Sequence, residues 1–294
     1  MLGKLIKRNV NMFFKDKGLF FTAMITPLIL LVLYMTFLSE VYKDSFAASI
    51  PPMLKIDENL IEALAGGQLV SSLLAVCGVT VAFCSNMLMV QDKVTGAAWD
   101  FNITPLKRST KAIGYYVASF LSTFGICAIA GAAGLGYLAS VGWYLTAADV
   151  AMMFVDTLLV VVLGTAVSSI AGFFMSSQGQ IAAVGSIVSS CYGFLCGAYM
   201  PISQFPEWLQ KTLAFMPGTY ATSLLRTHCT NGVFEEMAAQ DVPAELITSL
   251  KDMLDSNVYF FDECVPTELK LVILGGMGLL LMGVYVVLNV VRKK

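Results

Sequence analysis

The sequence predicts an all-α integral membrane protein with six transmembrane helices and both termini in the cytoplasm. Three observations carry this reading. Of 294 residues, 57% are hydrophobic and 13% charged. That is about half the charge of a soluble domain, too little to cover a water-soluble globule of this size. The apolar residues gather in six blocks, roughly 19–38, 67–90, 112–139, 150–174, 180–200 and 271–291. A helix needs about 20 apolar residues to cross about 30 Å of hydrocarbon. The charges, finally, are sorted by side. With the N-terminus inside, Lys4, Lys7, Arg8, Lys15, Lys17, Lys93, Lys107, Arg108, Lys111, Arg292, Lys293 and Lys294 are cytoplasmic, 12 of the 18 basic residues, while 16 of the 20 acidic residues face the other side. Short loops rich in lysine and arginine stay in the cytoplasm.

Residues 1–18 come first, basic and amphipathic. Leu2, Leu5, Ile6, Val10, Phe13 and Phe14 recur at helical spacing among the lysines. Such a helix lies in the membrane interface; the plainer reading is a flank whose charge only sets orientation. The first block begins at Leu19, is long enough to span and ends without a small-residue cleavage site, so a retained helix is expected rather than a signal peptide. Blocks four and five are parted only around Ser176–Gly179, which implies a tight helical hairpin. A large outer loop, 201–270, precedes the last block. Inside it, residues 234–256 read as a polar helical segment broken at Pro243. No internal repeat divides the chain, so 1–294 reads as a single transmembrane domain.

Several chemistries are disfavoured. Seven cysteines with no CxxC, and one histidine, His228, do not make a zinc site of ordinary spacing, and no other metal or cofactor site is expected. No G-x-x-x-x-G-K-[ST] loop occurs, so the chain itself is not expected to bind or hydrolyse ATP. It is therefore read as a non-enzyme. Ser176-Ser177-Gln178-Gly179-Gln180 reads as a polar turn, and the sequon at Asn102 falls on the cytoplasmic side. Nothing suggests nucleic acid as a partner. Asp156 lies inside the fourth block. An intramembrane carboxylate marks a functional position by default, although its nearness to the outer end also allows solvation or local pairing. Cys229 and Cys264 are the cysteines of the outer loop. A disulfide between them is compatible with an external compartment, and two free thiols are the other reading.

Two irregular segments carry more information. The loop 91–108 contains Asp92, Gly96, Trp99, Asp100 and Phe101 and then Thr104-Pro105. It reads as a short helix with an aromatic face, stopped before Pro105 because the residue preceding proline avoids the helical region. By itself this is either an interfacial linker or a surface for a soluble partner. After the fifth block the chain runs through Gly193, Gly197, Pro201, Pro206, Trp208, Pro217 and Arg226. The prolines cut it into short pieces, with one helix expected from Pro206 to Met216. It is either an ordinary outer loop or a broken segment that re-enters the membrane with its backbone satisfied inside protein.

In this order the two segments resemble the permeases of ABC-2-type exporters. The resemblance rests on Asp92, Gly96 and Thr104-Pro105 in the first loop and on the three prolines and Arg226 in the second, and it covers nearly the whole chain. The first loop departs from the family's pattern at Asp92-Lys93 and at Ala97-Ala98-Trp99. The resemblance implies a permease subunit of an ATP-driven exporter in a cell membrane, the bacterial cytoplasmic membrane being the expected one. Its expected partners are separate ATPase subunits carrying ATP and Mg, a second permease copy or homologue, and membrane lipid. Asp92, Gly96, Trp99, Asp100, Phe101, Thr104 and Pro105 are then the expected coupling residues. Ser72, Thr80 and Asn86, with Ser186, Ser189, Ser190 and Tyr192, are expected along the substrate path. Pro201, Pro206, Trp208, Pro217 and Arg226 are expected at an outer gate. A secondary transporter or channel driven by an ion gradient is the rival reading; it would ordinarily show more intramembrane charge or broken helices in paired halves.

Overall fold

The computed structural model describes residues 2–50, 56–97, 106–261 and 263–291. The described chain is almost entirely helical. A first helix, α1 (Leu2–Lys15), is amphipathic and buries Leu5, Asn9 and Phe13. Asp16 then accepts a hydrogen bond from the Leu19 amide and caps α2 (Lys17–Leu33). Pro27 sits inside α2, and a π-helical turn, Tyr34–Leu38, links it to α3 (Ser39–Ser49).

The longest helix is α4 (Glu58–Val94), 37 residues and enclosed along nearly its whole length. Next come α5 (Arg108–Val141) and α6 (Ala147–Phe174), the latter opened by a capping box between Thr146 and Asp149. A second capping box, Ser177 with Gln180, opens α7 (Gln178–Leu195) and fixes the tight turn expected there. The region 201–270 is more ordered than its polarity suggests. It holds a 3-10 turn (Ile202–Gln204), α8 (Glu207–Leu213), α9 (Pro217–Ala239), α10 (Ala244–Met253) and a two-residue hairpin of β1 (Tyr259–Phe260) and β2 (Glu263–Cys264). The expected helix over 206–216 is α8, which ends at Leu213, and a 3-10 turn precedes it at Ile202–Gln204. The expected break at Pro243 separates α9 from α10. The chain ends in α11 (Thr267–Val291).

Among the described residues, five stretches are long and apolar enough to cross a membrane: Lys17–Ser49, α4, α5, α6 and α11. The sixth expected span, α7, is 18 residues diluted by Gln178, Gln180 and three serines, and it falls outside that group. Several helices also overrun the apolar blocks at polar ends. In α4 the extra first turns pack Leu60, Ala63 and Leu64 against Phe46, Val233, Phe234 and Met237, so a soluble-style core continues beyond the apolar belt.

Helix α4 is the axis. It lies against α2, α5, α6, α7 and α9. Its closest approach is to α6: a Cβ on Gly164 would stand 2.3 Å from the Gly78 carbonyl, and one on Gly78 would stand 2.4 Å from Val160. Small residues at a crossing let helix backbones come this close. Two ends can be told apart. The basic end carries α1, the C-termini of α4 and α6 and the N-terminus of α5. The far end carries α3, α8, α9, α10 and the hairpin.

Candidate functional site

At the basic end, Arg8 of α1 reaches Asp92 in the last turn of α4 with both guanidinium arms, at 2.7 and 3.0 Å. The Tyr115 hydroxyl donates to the same carboxylate at 2.6 Å. A planar fork on a carboxylate fixes direction as well as distance. Asp92 is buried while Arg8 is about a third exposed (side chains 3% and 32%), so the clasp opens to solvent on the α1 side only. One residue on, Lys93 donates to the carbonyls of Gly172, Phe173 and Met175 at 2.7, 3.1 and 3.3 Å. A cation on the unsatisfied carbonyls of a helix C-terminus is the favourable placement. Adjacent side chains of α4 therefore bind α1 and α6. Gly96 follows at φ +82°, the left-handed conformation that glycine supplies just past a helix end.

Of the coupling residues expected from sequence, Asp92 and Gly96 thus sit at this junction. Asp92 is turned inward and holds α1 through Arg8. Trp99, Asp100, Phe101, Thr104 and Pro105 lie outside the described residues.

The expected substrate path divides. Ser72, Thr80 and Asn86 of α4 are all buried within the chain. Thr80 donates to the Val76 carbonyl at 3.0 Å. The Asn86 amide donates to Ser169 at 3.0 Å and to Ser168, and it accepts from Ser119 at 3.0 Å. Asn86 thus ties α4 to α5 and α6, Ser72 accepts from Arg226 of α9, and Thr80 is satisfied within α4 itself. Apolar neighbours enclose them, so each bonds to protein. On α7, Ser186 and Ser190 are exposed and Ser189 and Tyr192 half-buried. The Ser190 hydroxyl donates to the Ser186 carbonyl at 2.9 Å, and the Ser189 carbonyl accepts from Tyr199 at 3.3 Å.

The far end is organised by Arg226, fully buried in α9. Its guanidinium donates to the Leu254 carbonyl at 2.8 Å, the Gly197 carbonyl at 2.5 Å, Asp255 at 3.2 Å and Ser72 at 3.4 Å. Asp255 also accepts from the amides of Ile202 and Ser203. Burial pushes the Asp255 carboxyl above its ordinary range, outweighing the opposing pull of Arg226 and the two amides. Five segments meet on this pair: α4, the turn after α7, the 3-10 turn, α9 and the end of α10. Pro217 occupies the first turn of α9, where its missing amide proton costs nothing. Pro201 precedes the 3-10 turn, Pro206 caps α8, and Trp208 points outward, 69% exposed.

Asp156 does not reach water. It is fully buried, and one carboxylate oxygen meets His228 Nδ1 of α9 at 2.6 Å. Its other oxygen has no partner among the described residues. The expected disulfide is absent. Cys229 is a buried free thiol in the core between α4 and α9, whereas Cys264 is an exposed free thiol in the hairpin. The helix directs Cys229 inward and the hairpin holds Cys264 at the surface, so the two do not meet.

With the geometry in place, comparison with known families is decisive. The family described as ABC-2 type transporter matches residues 2–228. The chain belongs to the ABC-2 type transporter family. It is a multi-pass membrane permease of an ABC system, a family whose members normally work with separate ATPase subunits. No curated protein matches the chain. The match takes in the basic-end clasp and α9 up to His228. The structure adds to this ABC-2 permease what sequence reading missed. Arg8 and Lys93 looked like orientation charges. His228 looked like an isolated outer residue. Lys270, at the start of α11 and passed over in the sequence reading, is buried on Ser223 and the Ser256 carbonyl at 2.9 and 2.7 Å. In each case the partner is distant in sequence and no local pattern marks it.

Proposed function

We propose that the chain is the membrane-spanning half of an ATP-driven exporter, two copies (or one copy and a homologue) enclosing a path for an amphipathic drug, peptide, lipid or glycan. ATP and Mg belong to separate ATPase subunits docked at the basic end, which is cytoplasmic on the lysine and arginine bias. The single observation that carries the coupling part is the pair of adjacent residues Asp92 and Lys93. One clasps α1 and the other the end of α6, immediately before the loop 95–107. A push on that loop is thereby shared between the interfacial helix and the bundle. On this reading α7, about 27 Å long at 1.5 Å per residue, is the sixth span. Its exposed serine face turns to the path or to the second copy. The far end, with Arg226 at its centre, is the exit gate, and the membrane is the bacterial cytoplasmic one.

The test is reconstitution with the cognate ATPase in proteoliposomes. Trp99→Ala with Asp100→Ala should abolish ATP-driven transport or release the ATPase. Unchanged docking and unchanged transport would overturn the coupling assignment. One observation favours the secondary-transporter reading: the buried Asp156–His228 pair inside the bundle. Transport driven by a proton gradient without ATPase or ATP would decide for it.

A further inference from the structure

The far end contains a cavity of about 400 Å3 between α8 and the segment 252–261. It lies on the face opposite the basic end and is separate from the serines of α7. Its size suits a small ligand. Its chemistry is asymmetric.

One wall offers a held carboxylate. Asp252 Oδ1 accepts from Asn257 at 2.7 Å and from the Tyr259 hydroxyl at 2.9 Å. Both donors use the same oxygen, so the carboxylate is fixed while Oδ2 carries no bond among the described residues. Across the cavity, α8 presents Glu207 and, one turn later, Lys211. Asp255, at the floor, is already spent on Arg226 and two backbone amides. Nearby cations are engaged elsewhere: Lys251 lies over the Phe234 ring at 5.1 Å, and Lys270 is buried on Ser223 and Ser256. The Asp252 carboxylate, with its Oδ2 open, and the Glu207 carboxylate thus face one ammonium, which leaves the cavity net negative.

The remaining wall is aromatic. Phe260 and Phe261 pack edge to face at 4.8 Å, and Phe215 meets Phe260 at 5.2 Å. Phe261 takes a left-handed backbone at φ +48° and leaves its ring 64% exposed at the rim. Ring faces attract cations and accept apolar groups.

We propose that this cavity binds an organic ammonium or guanidinium ion carried on an apolar body, its charge seated between Asp252 and Glu207 and its apolar part against Tyr259, Phe260 and Phe261. The proposal deepens the export reading, naming a cationic amphipath as what the exit side handles, and it rests on that reading for the side it faces. Binding itself requires neither ATP nor the ATPase.

The experiment is calorimetric titration of the permease in zwitterionic-lipid nanodiscs, with empty nanodiscs subtracted. The probes are phenylbutylammonium and its neutral counterpart phenylbutanol. The ammonium should bind saturably and the alcohol at least about tenfold more weakly, as expected when a charge-assisted hydrogen bond is lost. Glu207→Gln should weaken the ammonium about threefold or more, and Lys211→Gln should tighten it about two- to threefold, the scale of exposed charge interactions. Both residues are exposed on α8, so neither change threatens the fold. Asp252→Asn should weaken binding further, although it also disturbs Tyr259. Equal affinity for the two probes, or weaker ammonium binding in Lys211→Gln, would overturn the proposal. Saturable, charge-selective binding by a chain that supports no ATP-driven transport would instead overturn the export reading and leave the site standing.

Discussion

Asp92→Ala is the sharpest perturbation of the basic end. It removes both Arg8 contacts and the acceptor of the Tyr115 hydroxyl. A charge-assisted hydrogen bond contributes about 1.5–3 kcal/mol. The lower end applies because Arg8 is about a third exposed (32%) and solvent screens the pair. Stranding the Tyr115 hydroxyl adds about 1 kcal/mol. The loss from α1 docking is then about 2–3 kcal/mol. Against it stand Leu5 and Phe13, 4% and 1% exposed, each stabilising α1 by about 1.5–3 kcal/mol. The helix should therefore stay docked on average but open about 30- to 150-fold more often. Amide hydrogen exchange across α1 measures this directly in the purified permease. Protection of the α1 amides should fall by that factor while α4 and α6 stay protected. With the ATPase added, ATP turnover should persist while transport falls. Arg8→Lys, which keeps the charge and loses the fork, should fall between wild type and Asp92→Ala. An α1 protection factor within about threefold of wild type would refute the clasp as the holding element.

Four other outcomes follow from the geometry. Arg226→Met leaves Asp255 buried without its cation and should cost about 3–5 kcal/mol in unfolding, read as a large drop in melting temperature. Asp255 has a raised folded value because burial outweighs its partners. A carboxyl raised in this way contributes stability that is present at low pH and lost as pH climbs through the folded value. The stability of wild type relative to Asp255→Asn should thus decline as pH climbs above about 4, the ordinary carboxyl value, and a rise would contradict the assignment. Gly164→Ala places a methyl 2.3 Å from the Gly78 carbonyl, while Gly136→Ala meets nothing within 4 Å. The first should destabilise by several kcal/mol and the second stabilise by up to about 1 kcal/mol, the helix-propensity gain, both by thermal melt. Maleimide labelling of folded protein should reach Cys264 and spare Cys229, and intact mass should not change with reductant.

The sequence was most legible where one face or one long run carried the signal. α1, α4, α5, α6 and α11 announce themselves through apolar periodicity or sheer apolar length, and the Ser177–Gln180 cap marks the α6–α7 turn. α9 was hidden in what read as a loop. Thr219, Thr222, Ser223, Arg226 and Thr230 are all buried there, and hydropathy reads such residues as solvent-facing. Only Pro217 hinted at its start. The polar residues of α4 misled in the opposite sense. Ser72, Thr80 and Asn86 resembled a wetted path, yet all three are buried, Ser72 and Asn86 bonded to α9, α5 and α6 and Thr80 to its own helix. Pairs such as Arg8–Asp92 and Asp156–His228 join residues 84 and 72 positions apart. Spacing cannot encode them, because the fold alone brings them together.

The Gly78–Gly164 crossing has a mechanical consequence. Two backbones in contact cannot be squeezed closer, and prising them apart would unseat Val160 and the Asn86 amide together. α4 and α6 are therefore built to move as a single lever, with this crossing as its fulcrum. Lys93 already ties the end of α6 to the end of α4, which stiffens the arm on the basic side. On the coupling role proposed above, a displacement applied at the loop after Gly96 would tilt the pair about the glycines and emerge, reversed, at Ser72 and Asp156, where Arg226 and His228 of α9 are attached. Such a stroke would pass from one face to the other without any helix having to bend.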